Sequence, residues 1–277
     1  MLKEFLICTA ILLIFYVIIK GLPKFLQFLG LHPNYDKHNF DLSGKKALII
    51  TTSHDQLSNG KATGVFASEM TVPYYEFLDA KMRVDVASID GGQIPIEPFS
   101  LQYPIASEAD KRFREDEVFQ AKVNESLKID RLDFSNYDVV FLAGGWGAAW
   151  DLGTSEVLGE KITQANQADA LLGAVCHGPL GFVQAKEKDG TPLLAGKQIA
   201  AVTNKQIAEL LIKDTPMHPE TEMKNAGAEF KSRRGLLDVL STNVVVDGNL
   251  VTGQNQNSAG ETAQLLLSKL FDKQTKK

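Results

Sequence analysis

A cysteine followed directly by a histidine stands in the run Gly173-Ala-Val-Cys-His-Gly-Pro179. The apolar residues before Cys176 predict a buried strand, and the Gly178-Pro179 pair predicts the first turn of a helix. The start of a helix carries free N–H groups and partial positive charge, which favour the thiolate form of a cysteine. We therefore interpret Cys176 as a candidate nucleophile, with a buried structural cysteine as the alternative.

A glycine-rich loop, Gly144-Gly145-Trp146-Gly147, follows the preceding predicted strand. We expect it at the same edge of the sheet as Cys176, because the carboxyl ends of parallel strands share one edge. Its backbone N–H groups, together with that of His177, would then form an oxyanion hole. A simple glycine turn is the alternative interpretation.

Two further side chains are candidates because of their place along the chain. Glu69 lies on the helix after the first predicted strand, where a carboxylic acid could share a proton with the thiol or act as general acid and base. His54 follows the first strand and could line the mouth of the pocket. The alternatives are a solvated helix residue and an ordinary loop histidine. No cluster of His, Cys, Asp and Glu has metal-ligand spacing, so no metal is expected.

The elements that must position these residues alternate between strands and helices, which predicts an α/β fold with a mostly parallel sheet and helices on both faces. Ligands of such sheets bind beyond the carboxyl ends of the strands. The predicted strands are Lys46–Thr51, Val84–Ser88, Val139–Ala143, Ala170–Val175 and Gln198–Val202, with a hairpin over 244–252. The predicted helices cover 63–80, where Pro73 should kink or locally break the helix, 154–168, a segment after Gly178, and 258–272.

Composition limits the classes of partner. The chain has 277 residues, 44% of them hydrophobic, which is ample for a packed core. The net charge is −5 and no long basic run occurs, so nucleic acid is not expected as a partner. Two cysteines cannot form a disulfide framework, and Cys8 lies in an apolar N-terminal segment.

That N-terminal segment, Phe5–Ile19, is an almost wholly apolar run. Its apolar neighbours bring it towards the roughly 20 residues that span a bilayer. We predict an apolar helix within residues 1–20 that anchors the chain in a membrane through residues 5–19, as a single pass whose orientation stays open. A cleaved signal, which would leave a secreted or periplasmic protein, and a soluble helix are the alternatives.

The rest of the chain divides into a linker and one domain. Residues 21–44 carry several turn residues and are predicted to be a linker. Residues 45–273 form the predicted α/β domain. Residues 104–128 are charged and helix-prone, and about 93–130 is predicted to be a cap inserted into that domain.

Taken together, the motifs resemble the PfpI-type superfamily, also called class I glutamine-amidotransferase-like, over about residues 45–272. The most similar branch is that of the heat-inducible chaperones and glutathione-independent glyoxalases. The Cys176 run carries the resemblance, and the supporting stretches are Thr63–Glu69 with Pro73-Tyr74, Val84–Gly92 with Pro95 and Ser100, Gly144–Gly147 with Trp150–Leu152, Pro192–Lys197, Thr203-Asn204 and Leu250–Asn255. The resemblance implies a flavodoxin-like three-layer sandwich with Cys176 as nucleophile, His177 as its adjacent base and Glu69 hydrogen-bonded to the thiol.

Two positions depart from the family pattern. Trp146 stands where the family loop usually has a histidine. The family's third triad member is an acid a few residues after the Thr203-Asn204 pair, where this chain has Gln206 or Ile207. Glu209 comes two residues later, about 200° around a helix from that place. Without a carboxylate to orient it, His177 would be a weaker base.

One other group of residues resembles the glutaminases of this superfamily. His218-Pro219-Glu220 mimics the His-x-Glu pair of true glutaminases. Ala174, however, stands where glutaminase elbows carry glycine two residues before the cysteine. A polar loop and helix cap is therefore the favoured interpretation of this stretch.

The resemblance implies a cysteine-dependent enzyme that converts a small α-oxoaldehyde, such as methylglyoxal, to lactate without glutathione or another cofactor, or a related deglycase. The alternatives are a holding chaperone with a vestigial site, which would bind misfolded protein clients, and a small amide or peptide hydrolase. Members of the family are commonly dimers, so the resemblance also implies a homodimer.

Overall fold

A seven-stranded sheet forms the centre of the protein in a computed structural model that describes residues 9, 16–17, 21–22, 24–29, 33–102, 105–212, 215–234 and 238–275. The strands of this sheet are β1 Lys46–Thr51, β2 Arg83–Ser88, β3 Leu127–Lys128, β4 Val139–Leu142, β5 Leu171–Val175, β8 Val244–Asp247 and β9 Leu250–Gly253. Their order is β3-β2-β1-β4-β5-β9-β8, and only the β8–β9 pair is antiparallel among the described pairings. The prediction of an α/β fold with a mostly parallel sheet is therefore confirmed.

Helices cover both faces of this sheet. They are α1 Ala67–Asp79, α2 Glu108–Glu115, α3 Glu117–Asn124, α4 Ala148–Asp151, α5 Glu156–Gln167, α6 Asn204–Glu209, α7 Pro219–Asn225 and α8 Ala259–Thr275. Short 3₁₀ turns occupy Pro98–Leu101, Ile129–Arg131, Phe134–Asn136, Gly178–Phe182, Asp238–Leu240 and Gln256–Ser258. One apolar core lies between the sheet and helices α1 and α8, and the other lies beneath α4, α5 and the turn Gly178–Phe182.

The sheet aligns three strand ends that carry the candidate site. All of β4 and β5 is buried, as continuous apolar runs require when both faces of a parallel strand are covered. Parallel pairing of β1 with β4 and of β4 with β5 brings the residues that follow these strands to one edge. The Gly144–Gly147 loop and Cys176 therefore lie side by side.

Three local predictions need correction. The strand predicted over Gln198–Val202 is only β6 Gln198–Ile199, and it pairs with β7 Glu229–Phe230 in a separate two-stranded sheet. The helix predicted after Gly178 is a five-residue 3₁₀ turn, Gly178–Phe182. Helix α1 continues through Pro73 without interruption, although proline removes one backbone donor from the ladder.

The membrane prediction is wrong for the part of the chain that can be assessed. Among the described residues, no helix has both the length and the apolar character needed to cross a bilayer. Most of the apolar helix predicted within residues 1–20 lies outside the described residues, which include only 9 and 16–17 there.

Part of the segment predicted as a linker packs on the domain. Leu42 is fully buried, and its N–H donates to the Ala80 carbonyl at 2.9 Å. The backbone N–H of His38 donates to the Gln264 side chain at 3.0 Å. Residues 33–42 therefore lie along helices α1 and α8.

Candidate active site

Cys176 occupies a sharp, pinned turn at the end of β5. Its φ is 58°, in the left-handed region that residues with a Cβ rarely adopt. Two backbone hydrogen bonds hold this conformation: the Cys176 N–H donates to the Gly253 carbonyl, and the Val202 N–H donates to the Cys176 carbonyl, both at 3.0 Å. The residue as a whole is half-buried. Strain of this kind is typical of functional sites.

The backbone N–H groups of His177 and Gly145 lower the pKa of the Cys176 thiol. Gly145 has a φ of 114°, and a Cβ there would lie 2.4 Å from the Gly64 carbonyl oxygen. Only glycine fits this conformation, so a glycine is needed for the second N–H to act on the thiol. Two of the N–H groups predicted for an oxyanion hole therefore belong to residues that influence the sulfur.

Glu69 lies in the first turn of α1, against the same loop. The Phe66 N–H donates to the Gly144 carbonyl at 3.2 Å and fixes the start of this helix. A Cβ on Gly144 would lie 2.6 Å from Glu69 Oε2, so the carboxyl touches the loop backbone. Glu69 is fully buried, and burial raises its pKa to about 8 against the smaller opposing effects of the Cys176 thiol and the Gly144 backbone. Its carboxyl is therefore mostly protonated at neutral pH.

The thiol and this carboxyl form a coupled pair. Burial raises the pKa of the Cys176 thiol, the Glu69 carboxyl raises it further, and the two backbone N–H groups act in the opposite direction. Neither oxygen of Glu69 makes a hydrogen bond of ordinary geometry with another described group, although each partner shifts the other's pKa. The helix-start effect expected from the sequence is overridden, because a short 3₁₀ turn follows Cys176 and burial is the largest influence on the pKa of its thiol.

His177 is fully buried beside the sulfur. Its Nδ1 lies 3.5 Å from the Cys176 sulfur, and its ring meets the Trp146 indole edge-on, with centroids 4.9 Å apart. Burial, and then the positive charge of His218, lower the pKa of His177 to about 3. Its Nε2 has no hydrogen-bond partner within the described part of the chain.

The residues at the place of the family's triad acid make their contacts with groups other than His177. Gln206 is buried in a capping box, where its Oε1 accepts the Thr203 N–H at 2.9 Å and its Nε2 donates to the Asp238 carbonyl at 2.7 Å. Ile207 is buried and apolar. Glu209 pairs with Lys205 at 3.4 Å. The structure therefore brings Cys176, His177 and Glu69 together, and adds no described carboxylate at His177 Nε2.

His54 lies beside this group, outside contact with the thiol. Its ring stacks on that of Trp150, with the centroids 4.8 Å apart, and its backbone N–H donates to the Thr52 hydroxyl at 2.9 Å. The loop is held by Asp151, whose Oδ2 accepts the Thr52 hydroxyl at 2.8 Å and the Ser53 N–H at 2.7 Å. Burial raises the pKa of Asp151. Sequence reasoning missed this buried carboxylate, for which the Trp150–Leu152 stretch was the only signal.

His218 is the other residue whose place could not be foreseen. It directly precedes α7, and its charge acts on His177, across about forty residues of sequence. The signal was the His218-Pro219-Glu220 motif. The glutaminase arrangement that this motif mimics is absent from the described structure, because the Glu220 carboxylate accepts the Asn204 N–H at 2.9 Å and pairs with Lys224. Among the described residues, no group of three His, Cys, Asp or Glu could hold a metal ion.

Comparison with known proteins places this geometry in context. Residues 61–269 match the model of the DJ-1/PfpI family. The chain is 28% identical over 229 residues to Glyoxalase 3 of Candida albicans, covering 79% of this chain and 95% of that protein. It is 30% identical over 242 residues to the probable glutathione-independent glyoxalase hsp3103 of Schizosaccharomyces pombe, covering 76% of this chain and 91% of that protein. The crystal structure of glyoxalase III from Candida albicans superposes with a TM-score of 0.72 at 26% identity, covering 81% and 96%. These matches confirm the resemblance and the branch predicted from the motifs.

Proposed function

This chain belongs to the DJ-1/PfpI family, and on that premise we propose that it is a cysteine-dependent glyoxalase that converts a small α-oxoaldehyde to a 2-hydroxy acid without glutathione. The observation that carries the proposal is the buried carboxyl of Glu69 beside the Cys176 sulfur, where the N–H groups of His177 and Gly145 also act on the thiol. The names of its relatives, which are glutathione-independent glyoxalases, support the same reaction.

The proposed reaction begins at the sulfur. The Cys176 thiol loses its proton towards His177 Nδ1, 3.5 Å away, and the sulfur bonds to the aldehyde carbon. The protonated Glu69 carboxyl donates to the oxygen of that carbon as negative charge develops on it. The product of this step is a hemithioacetal on Cys176.

An internal oxidation and reduction follows in the same pocket. The Glu69 carboxylate, now without its proton, removes the hydrogen from the sulfur-bearing carbon and delivers it to the neighbouring carbonyl oxygen, which gives an enediol. Glu69 then takes the hydroxyl proton of the sulfur-bearing carbon and delivers it to the second carbon, which leaves a 2-hydroxyacyl thioester on Cys176. Water cleaves the carbon–sulfur bond: its hydroxyl joins the acyl carbon, its other proton returns to Glu69, and the proton held by His177 restores the thiol. Glu69 thus gives up and takes back protons in turn, which suits a carboxyl whose pKa is about 8.

The proposal includes the organisation of the chain. We assign the α/β unit to residues 45–273, as a flavodoxin-like three-layer sandwich with residues 93–130 as its cap and 21–44 leading into it. A homodimer is part of the proposal, because the family resemblance implies it. The proposed site residues are Cys176, His177 and Glu69, with Gly144, Gly145, Trp146 and His54 around the pocket.

The test is lactate formation from methylglyoxal by the full-length chain. We expect Cys176→Ala to reduce turnover to the uncatalysed background, because Cys176 is the only thiol among the described residues of the site. Cys8→Ser, which removes the other cysteine of the chain, is the matched control and should keep full activity. Equal lactate formation by Cys176→Ala and the unmodified chain would overturn the proposal.

A holding chaperone is the second candidate, and one observation favours it: His177 Nε2 has no described carboxylate partner. A site without its orienting acid could be vestigial while the surrounding surface still binds unfolded clients. Suppression of client aggregation that survives Cys176→Ala, in a chain that forms no lactate, would select this function. Absence of any suppression would remove it.

A further inference from the structure

We propose that Ser100 positions the Glu69 carboxyl against the Cys176 sulfur by capping the helix that carries Glu69. The inference rests on the proposed function for the role of Glu69 in the reaction. Ser100 is fully buried and acts through the backbone of α1, so it is a positioning residue and not a catalytic one.

The start of α1 lacks a side-chain cap of its own. The first N–H groups of a helix have no partner within the helix, and a Ser, Thr, Asp or Asn side chain usually accepts one of them. Phe66 stands at this position in α1 and makes no such bond. Its backbone N–H donates instead to the Gly144 carbonyl at 3.2 Å. The N–H of Ala67, the first residue of α1, therefore needs an acceptor from another part of the chain.

Ser100 supplies that acceptor. The Ala67 N–H donates to the Ser100 hydroxyl oxygen at 3.0 Å, although the two residues are 33 positions apart in the chain. The hydroxyl donates in turn to the Glu97 carbonyl at 2.6 Å. This hydroxyl is thus used both as a donor and as an acceptor, which fixes its orientation.

Residues 95–100 are themselves bonded to the chain that leads into α1. The Val65 N–H donates to the Pro95 carbonyl, and the Glu97 N–H donates to the Val65 carbonyl, both at 2.9 Å. The Thr63 hydroxyl donates to the Glu97 carboxylate at 2.8 Å. A Cβ on Gly64 would overlap the Pro95 carbonyl, so the two segments lie in close contact. Ser100 is therefore held at a defined place relative to the start of the helix.

Glu69 depends on this first turn for its position. It lies two residues after Ala67, and its N–H donates to the Phe66 carbonyl at 2.9 Å. Its carboxyl touches the Gly144 backbone, but neither oxygen makes a hydrogen bond of ordinary geometry with another described group. The backbone of the turn, rather than a partner of the carboxyl, therefore sets where the carboxyl lies.

The substitution Ser100→Ala removes one acceptor and leaves the other contacts of this segment in place. The Glu97 carbonyl keeps a donor, because the Ser100 N–H also bonds to it at 3.0 Å. The N–H of the fully buried Ala67 is left without its acceptor, which is unfavourable. We expect the first turn of α1 to shift in response, and the Glu69 carboxyl to move away from Cys176.

The test is a double-mutant cycle that combines Ser100→Ala with Glu69→Gln. Its first measurement is the rate at which iodoacetamide alkylates Cys176 near pH 8, followed on the Cys176 peptide by mass spectrometry so that Cys8 does not interfere. Because the Glu69 carboxyl raises the pKa of the thiol, either substitution alone should speed alkylation by about three- to tenfold. Ser100→Ala should add no further increase in the Glu69→Gln chain.

The second measurement is lactate formation from methylglyoxal. Ser100→Ala should lower kcat by about ten- to a hundredfold, the effect of a misplaced catalytic group, and leave KM within about twofold. In the Glu69→Gln chain the same substitution should leave kcat unchanged, because the carboxyl that Ser100 positions is already absent.

Ser155→Ala is the matched control. The Ser155 hydroxyl accepts the Leu158 N–H at 3.1 Å and caps α5, which packs on the opposite face of the sheet from α1. Its loss should lower stability and leave both measurements unchanged. If Ser100→Ala does not fold, Ser100→Cys carries the same cycle with smaller effects in the same direction, because sulfur is a weaker acceptor on a side chain of similar size.

Three results would overturn the inference. The first is an alkylation rate that Ser100→Ala leaves unchanged or lowers, and the second is an unchanged kcat in a chain that forms lactate. The third is an increase in alkylation by the same factor with and without Glu69→Gln, because a merely structural loosening of the site acts equally in both chains. Alkylation needs no turnover, so a chain that forms no lactate but gives the expected cycle contradicts the proposed function and leaves the positioning role of Ser100 standing.

Discussion

The two sides of the site differ in how their polar atoms are partnered. On the thiol side, formed by Glu69, Gly144, Gly145 and Cys176, a buried acid and two N–H donors converge on one sulfur. On the imidazole side, formed by His177, Gln206, His218 and Asp238, one buried nitrogen has no described partner and the glutamine bonds to backbone groups. The thiol side is assembled from strand ends and the start of α1, whereas the imidazole side depends on short helices in the last third of the chain.

That difference separates two requirements of the reaction. Bond formation and proton transfer at the substrate need the thiol side, where the Cys176 thiol and the Glu69 carboxyl both lie. Removal of the thiol's proton needs the imidazole side, where His177 Nε2 has no hydrogen-bond partner among the described groups. Substitutions on the two sides should therefore have effects of different size and different dependence on pH.

The largest effect is expected from Glu69→Gln, which keeps the shape of the side chain and removes its proton transfer. We expect lactate formation to fall by about 10³-fold, within the range for loss of a general acid–base group. Alkylation of Cys176 by iodoacetamide should persist, because it needs only the thiolate. Glu76→Gln, on the same helix two turns away, is the control. Retention of more than about a tenth of the activity in Glu69→Gln would mean that another group transfers the substrate's proton.

The same substitution should change how stability depends on pH. Glu69 has an ordinary pKa near 4.5 in the unfolded chain and about 8 when folded, so the folded state holds more protons between those values and its stability falls as pH rises through that window. His177 acts in the opposite sense: its pKa is lowered to about 3, so it makes stability rise between about pH 3 and 6.5.

Because the His177 contribution is common to both chains, the difference between them isolates Glu69. Glu69→Gln should gain stability relative to the unmodified chain as pH rises from about 4.5 to 8, by a few kcal/mol, since one pKa unit corresponds to about 1.4 kcal/mol. Urea denaturation at several pH values measures the gain. A constant difference across that window would show that the folded Glu69 titrates normally.

The third test asks whether the imidazole side could hold an acid. In Gln206→Glu, the amide that donates to the Asp238 carbonyl becomes a carboxylate facing that oxygen. We expect a loss of about 1–3 kcal/mol in the free energy of unfolding and no gain in lactate formation. Gln254→Glu is a matched control, because Gln254 is also buried and bridges the backbone N–H and carbonyl of Arg233. Higher activity in Gln206→Glu with unchanged stability would contradict the difference drawn between the thiol side and the imidazole side.

The two sides also differ in how far the sequence predicts them. The thiol side was predictable because strand ends are readable: apolar runs predicted β1, β4 and β5 closely, and parallel pairing then places Gly144 and Cys176 together. Glu69 followed from its place on the next helix. What the sequence could not show is the degree of burial, which raises the pKa of Glu69 and of the thiol.

The imidazole side was harder to predict from the sequence, for a physical reason. Elements such as β6, with two residues, and α6, with six, have too few residues for a hydrophobic period to appear. Their positions depend on contacts between distant segments, such as the Glu220 bond to Asn204. The sequence could show that an acid is missing near Gln206, but the effect of the His218 charge on the pKa of His177 required the folded chain. The apolar N-terminal run predicted a membrane span from hydrophobicity alone, and no described helix supports that prediction.

The smallest expected effect concerns Trp146, which touches both sides through the loop and through the His177 ring. Trp146→His introduces the residue usual in the family and uncovers one edge of His177. Because burial is the main cause that lowers the pKa of His177 from 6.5 to about 3, the variant's value should rise by about one unit, and lactate formation should change only a few-fold. NMR titration of the histidine ring measures the pKa. Trp150→His is the matched control: its indole stacks on His54, so the pKa of His177 should not move. If both variants leave that pKa unchanged, Trp146 does not exclude water from the imidazole, and the low basicity of His177 must then depend on the charge of His218 more than on burial.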